Sequence, residues 1–219
     1  MLLNNNLIEA TKTYVKTELA NAEGGHDWFH VERVYNNAML ISKSETIDID
    51  VVSLGALLHD IADSKFYDGD DTIGPKKARE FLFGHNVDSK VIEHVVAIIK
   101  NISFSSNIEK TNTFNSLELQ VVQDADRLDA LGAIGIARTF NYGGFKNRAI
   151  YNPNIKPNLN MTKTEYKTST APTINHFYEK LLLLKDTMNT KSGKQIATER
   201  HDYMVAFLDQ FYAECNGER

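Results

Sequence analysis

The sequence predicts an all-α protein, and three observations carry the prediction. Apolar residues recur at helical spacing along most of the chain. No stretch alternates apolar and polar residues as a half-buried strand does. One segment, Val51 to Leu58, is apolar all round, which suits only a helix buried at the centre of a domain.

The elements follow in order. Leu7, Ile8, Tyr14, Val15 and Leu19 mark a first helix, broken by Gly24-Gly25. A second runs from about Asp27 to Ser44, with Val31, Val34, Tyr35, Ala38 and Leu40 as its core residues. The third, about Asp50 to Asp60, ends in His59-Asp60. Two polar groups delivered from a core need partners or a metal. Ile61 to Gly74 is rich in Asp and Gly and reads as a loop. Pro75 suits the first turn of a short helix to about Phe83. Val91, Ile92, Val95, Val96 and Ile99 mark another helix. Leu117 to Leu131 marks a long one running towards Phe140.

The stretch 142–170, with Gly143, Gly144, Pro153 and Pro157, is expected to be a long irregular loop shaping a pocket mouth. Helices over about Pro172 to Met188 and Ser192 to Ala213 complete the chain. The expectation is a single domain over 1–219, its core at about 26–140 and the C-terminal helices at about 172–213 packed on it.

Composition narrows the classes of function. Hydrophobic residues are 42% and charged residues 24% of the 219, as in an ordinary globular protein. A net charge of −5 argues against a broad nucleic-acid-binding surface. The lone cysteine, Cys215, makes neither an internal disulfide nor a cysteine-rich zinc site, and Met1 to Asn6 holds no secretory apolar region. A reducing cytoplasm is the expected location. No apolar run approaches a membrane span, and homo-oligomerisation, though compatible with the sequence, is not legible in it.

Three segments deliver ligand-type side chains: His26-Asp27-Trp28-Phe29-His30, His59-Asp60-Ile61-Ala62-Asp63 and Asp124-Ala125-Asp126-Arg127-Leu128-Asp129. Imidazole and carboxylate together suit Mn²⁺, Mg²⁺, Fe²⁺, Co²⁺, Ni²⁺ or Zn²⁺. His26 and His30, four apart, share a face if helical. Asp126 and Asp129, three apart, share a helical face with Ala130 and Ala133, and Asp124 points about 200° away from Asp126.

The order His30, His59-Asp60, Asp126 resembles the H…HD…D signature of the HD-domain phosphohydrolase superfamily. His30-Val31-Glu32-Arg33-Val34 is similar to its first ligand motif, and Asp126-Arg127-Leu128 to the motif carrying its last ligand. The fuller strings, with Thr173 to Leu181, resemble a compact bacterial branch that includes nucleoside triphosphate pyrophosphohydrolases.

The resemblance implies four metal ligands, His30, His59, Asp60 and Asp126, holding a divalent ion, foremost Mn²⁺ or Mg²⁺. It implies Asp63 as the carboxylate that orients or deprotonates water. Lys65, His26, Asp27, Arg127 and Arg138 become candidate contacts to a nucleotide substrate, and Asp129 a group behind the ligands. Each has a plainer reading. Asp27 equally caps a helix, Lys65 equally sits in solvent, and Asp129 equally caps or pairs with Arg127. His85 and His94 read as surface residues; as ligands they would indicate a two-metal site. His176 reads as packing, and His201-Asp202 as surface.

Where the (p)ppGpp-hydrolase branch carries Asn, this chain has Ala130, which counts against that substrate. The expected reaction is hydrolysis of a nucleoside triphosphate to monophosphate and pyrophosphate. The alternatives are a 5′-nucleotidase or cyclic-nucleotide phosphodiesterase, a non-catalytic nucleotide sensor, and a diiron oxygenase.

Overall fold

Among the residues described by the computed structural model, 5–22, 25–62, 70–102 and 114–218, all regular structure is helical. The order is α1 (Asn5–Glu18), α2 (Trp28–Ser42), α3 (Ile49–Leu58), α4 (Ile73–Gly84), α5 (Ser89–Asn101), α6 (Leu117–Leu128) and α7 (Gly132–Phe145). There follow α8 (Lys163–Thr168), α9 (Asn175–Glu179), a 3-10 helix (Leu181–Thr187) and α10 (Lys191–Cys215). The chain divides into two compact units, Met1–Asp126 and Arg127–Arg219.

The first unit is organised around α3. Asp48 caps it, its side chain accepting from the backbone N–H groups of Asp50 and Val51. Every residue from Val51 to Leu58 is buried, so no face is left for water. Helices α1, α2 and α5 pack on it, and α4 packs on α5. A Cβ at Gly55 would lie 3.3 Å from Ile98 Cδ1 and 3.5 Å from Val122 Cγ2, so this small residue lets α5 and α6 approach closely. Two side-chain amides fix α6: Asn37 Nδ2 donates to Ala125 O at 3.2 Å, and Gln123 Nε2 donates to Asn101 O at 3.1 Å.

In the second unit α7 and the 3-10 helix pack on α10. Phe177 is fully buried, its ring near those of Phe140 and Phe207. The returning chain pairs with the segment after α7 through Thr173 N to Ala149 O (2.8 Å) and Ile174 N to Ile150 O (3.1 Å). A Cβ at Gly143 would lie 2.2 Å from Thr173 Oγ1, so glycine is what lets α7 take this neighbour.

The structure departs from the sequence reading in three places. The long helix expected from Leu117 towards Phe140 is two helices. The backbone of α6 tightens at its end, with Ala130 N donating to Arg127 O and Leu131 N to Leu128 O, and Gly132 then takes φ +67°. Arginines occupy its last carbonyls: Arg200 Nη1 donates to Leu128 O at 2.6 Å and Arg138 Nη1 to Asp129 O at 3.1 Å.

The irregular stretch begins after Phe145, because α7 continues through Gly143-Gly144. It is interrupted by α8, which a reciprocal Thr162/Glu165 capping box starts. The helix expected over 172–188 is α9 followed by the 3-10 helix, the break falling at Lys180 (φ −145°, ψ −56°).

Leu57, fully buried in α3, is the direct test of this core. Leu57→Ala is expected to cost about 2–5 kcal/mol. The thermal midpoint followed by circular dichroism should fall by roughly 4–20 °C.

Candidate metal centre

The first unit brings three of the four expected ligands together. His30 lies in the first turn of α2 and is 3% exposed, which leaves its ring little choice but to face the interior. Its helix starts there because Asp27 caps it, Oδ1 accepting from His30 N at 2.9 Å. His59 and Asp60 follow the last residue of the buried α3. One ligand atom each from His30, His59 and Asp60 lie within 4.8 Å of one another. The fourth, Asp126 on α6, places Oδ1 3.4 Å from His30 Nε2.

This donor set fits a divalent cation. An octahedral ion with bonds of about 2.1 Å spaces neighbouring ligand atoms by about 3 Å and opposite ones by about 4.2 Å. His59 is pre-set for ligation. A carbonyl only accepts, so the 2.8 Å contact between His59 Nδ1 and Ala56 O means that Nδ1 carries the proton and Nε2 the lone pair. The rings of His30 and His59 meet edge-on, centroids 5.4 Å apart.

His26 precedes the Asp27 cap and so stands outside α2; the shared helical face with His30 is not how the two meet. Its Nδ1 donates to Asp60 Oδ2 at 2.6 Å, and its ring centroid is 6.0 Å from that of His30. Burial alone would raise the pKa of Asp60. The His26 hydrogen bond and the charges of His59, His26 and His30 outweigh it and hold the carboxyl below its ordinary value.

The other expected site residues have surroundings of their own. Asp63 and Lys65 lie outside the described residues. In the second unit Arg127 Nη1 donates to Thr187 O at 2.6 Å. Asp129, 1% exposed, pairs at 2.6 Å with Arg138 Nη1. Asp129 follows the last residue of α6. Asp124 is wholly buried, which the reading that set it off the ligand face did not foresee. His85 Nδ1 contacts Phe81 O at 2.8 Å, and His94 Nε2 contacts Ser116 Oγ at 2.9 Å; neither belongs to the cluster of His30, His59 and Asp60.

The second unit holds a separate polar group. His176 Nδ1 and the Tyr166 hydroxyl share a hydrogen bond of 3.1 Å. Burial, then Lys180 and Arg148, push the pKa of His176 down from 6.5 to about 4. Burial, then Glu179, push that of Tyr166 up to about 12. His176, expected to serve packing, is therefore held neutral and hydrogen-bonded. His201, expected at the surface, is half-buried beside Lys185.

Comparison with known proteins places this geometry in a family. Residues 28–131 match the HD domain, spanning the whole ligand series. YpgQ of Bacillus subtilis, an uncharacterized protein, is 34% identical over 95% of this chain and 94% of its own. The crystal structure of an HD-superfamily hydrolase from Bacillus thuringiensis shares 43% identity, with a TM-score of 0.78 over 97% of this chain and 98% of that one. A crystal structure of YpgQ in complex with ADP gives 31% identity and a TM-score of 0.74, covering 97% of this chain and 100% of that one. The chain belongs to the HD-domain family and is a metal-dependent phosphohydrolase.

His176 makes stability depend on pH in a predictable direction. Its folded pKa lies below its ordinary one, so as pH falls the unfolded chain takes the proton first. Its contribution is full above about pH 6.5 and is lost on the way down to about 4. The loss amounts to at most roughly 3 kcal/mol. Thermal midpoints at pH 7 and pH 5 check this: wild type should drop further between them than His176→Gln does. Equal drops would remove His176 from the account.

Proposed function

We propose that this enzyme hydrolyses nucleoside triphosphates to nucleoside monophosphate and pyrophosphate, with Mn²⁺ or Mg²⁺ as its metal. The observation that carries the proposal is the buried cluster of His30, His59 and Asp60, with Asp126 Oδ1 3.4 Å from His30 Nε2. His30, His59, Asp60 and Asp126 would hold a divalent ion, which would supply Lewis acidity towards a phosphate ester or anhydride. The nucleotide reading draws support from YpgQ, a relative crystallised with ADP. The triphosphate reading rests on the resemblance of the Asp124 to Gly132 and Thr173 to Leu181 strings to the pyrophosphohydrolase-containing branch.

A divalent ion held here supplies Lewis acidity and lowers the pKa of bound water. The chain's own residues do the rest. His30, His59, Asp60 and Asp126 fix the ion's place. Asp63 orients or deprotonates the attacking water. Lys65, Arg127 and Arg138 meet charge on the phosphates. Asp27, already a helix cap, and His26 border the ligand set from the same segment.

The two units act as one domain in this reading. Helix α6 runs through the boundary after Asp126, and the family match, 28–131, crosses it. The single cysteine favours a cytoplasmic setting, and no helix among the described residues is long and apolar enough to cross a membrane. The diiron oxygenase alternative loses ground, since His85 and His94 are engaged away from the cluster.

Product analysis tests the reaction. Incubation with dNTPs and NTPs in Mn²⁺ or Mg²⁺ should give monophosphate and pyrophosphate, and EDTA should abolish turnover. Asp60→Ala should be inactive, and Asp63→Asn should lower kcat by about 10²–10⁴. Phosphate released from monophosphates would identify a nucleotidase instead, and ring-opening of cyclic nucleotides a phosphodiesterase. Tight nucleotide binding without product would identify a sensor.

A further inference from the structure

We propose that His26 is a positioning residue, holding the Asp60 carboxylate in the orientation that the cation needs. The inference rests on the metal-dependent reading of the site, and it gives His26 a task other than contact with substrate.

Three observations support it. His26 Nδ1 donates to Asp60 Oδ2 at 2.6 Å, a length typical of a charge-assisted hydrogen bond. One Asp60 carboxylate oxygen shares the 4.8 Å cluster with ligand atoms of His30 and His59, so a hold on Oδ2 fixes how the carboxylate stands among them. His26 is also anchored from its own segment. Asp27 caps α2, and Trp28 packs beneath the Lys16 ammonium, 4.5 Å from its ring centroid.

The five residues His26 to His30 thus supply the group that orients one ligand, the cap that starts the helix, and a second ligand. A carboxylate on a turn after a helix has two rotatable bonds and two equivalent oxygens. A fixed N–H donor removes both ambiguities before the ion arrives, the same service that Ala56 O performs for His59.

Mn²⁺ titration by calorimetry or electron paramagnetic resonance tests this with no substrate present. The proteins are wild type, His26→Ala, His26→Asn and, as a control for the site, Asp60→Ala, each with a circular dichroism melt. The Asn amide nitrogen sits near the place of Nδ1 and keeps a donor. His26→Ala should raise the Mn²⁺ dissociation constant about 10- to 100-fold, and His26→Asn should return it to within a few-fold of wild type. Wild-type affinity in His26→Ala overturns the proposal. So does a folded His26→Asn as weak as His26→Ala, because a positioning donor is rescued by another donor. Undiminished binding in Asp60→Ala would instead overturn the metal site itself, and the His26 proposal with it.

Discussion

The burial of α3 is the constraint on which the rest depends. A helix apolar on every side is stable only when other helices cover every side, and α1, α2 and α5 do so. Each fully buried Leu or Val contributes roughly 1.5–3 kcal/mol, and α3 buries Val51, Val52, Leu54, Leu57 and Leu58. That sum outweighs the cost of carrying two polar residues inward at its end. The backbone that carries His59 and Asp60 is therefore held in place by the hydrophobic effect.

The polar end of α3 is then satisfied with little added machinery. A helix leaves its last carbonyls without intrahelical partners, and one of them, Ala56 O, accepts a hydrogen bond from His59 Nδ1. Asp60 takes the His26 donor, and His30 faces both from α2. Ligand atoms of His30, His59 and Asp60 come within 4.8 Å of one another, and Asp126 Oδ1 stands 3.4 Å from His30 Nε2, an arrangement made by packing.

Asp126 lies in the last turn of α6. Within the second unit, Arg200 and Arg138 cap the carbonyls of Leu128 and Asp129, and Gly132 takes the left-handed conformation that turns the chain. The buried Asp129 neutralises Arg138. Arg138 and Asp129, which the sequence offers as a substrate contact and a group behind the ligands, also secure this helix terminus.

The sequence by itself determined the helical class, the central place of α3 and the ligand types. Apolar periodicity and a segment with no polar face admit few other solutions, and a His-Asp pair at the end of such a segment has little reason to exist except a site. Its order with His30 and Asp126 was legible through the resemblance to the HD-domain signature. Only the tertiary structure decided the pairings. Whether Asp129 meets Arg127 or Arg138, whether the helix continues past Leu128, and which atom His26 grips all depend on side chains distant in sequence, such as Arg200 against Gly132. Local pattern encodes which face is buried; it does not encode which neighbour arrives there, because that is set by the packing of the whole unit.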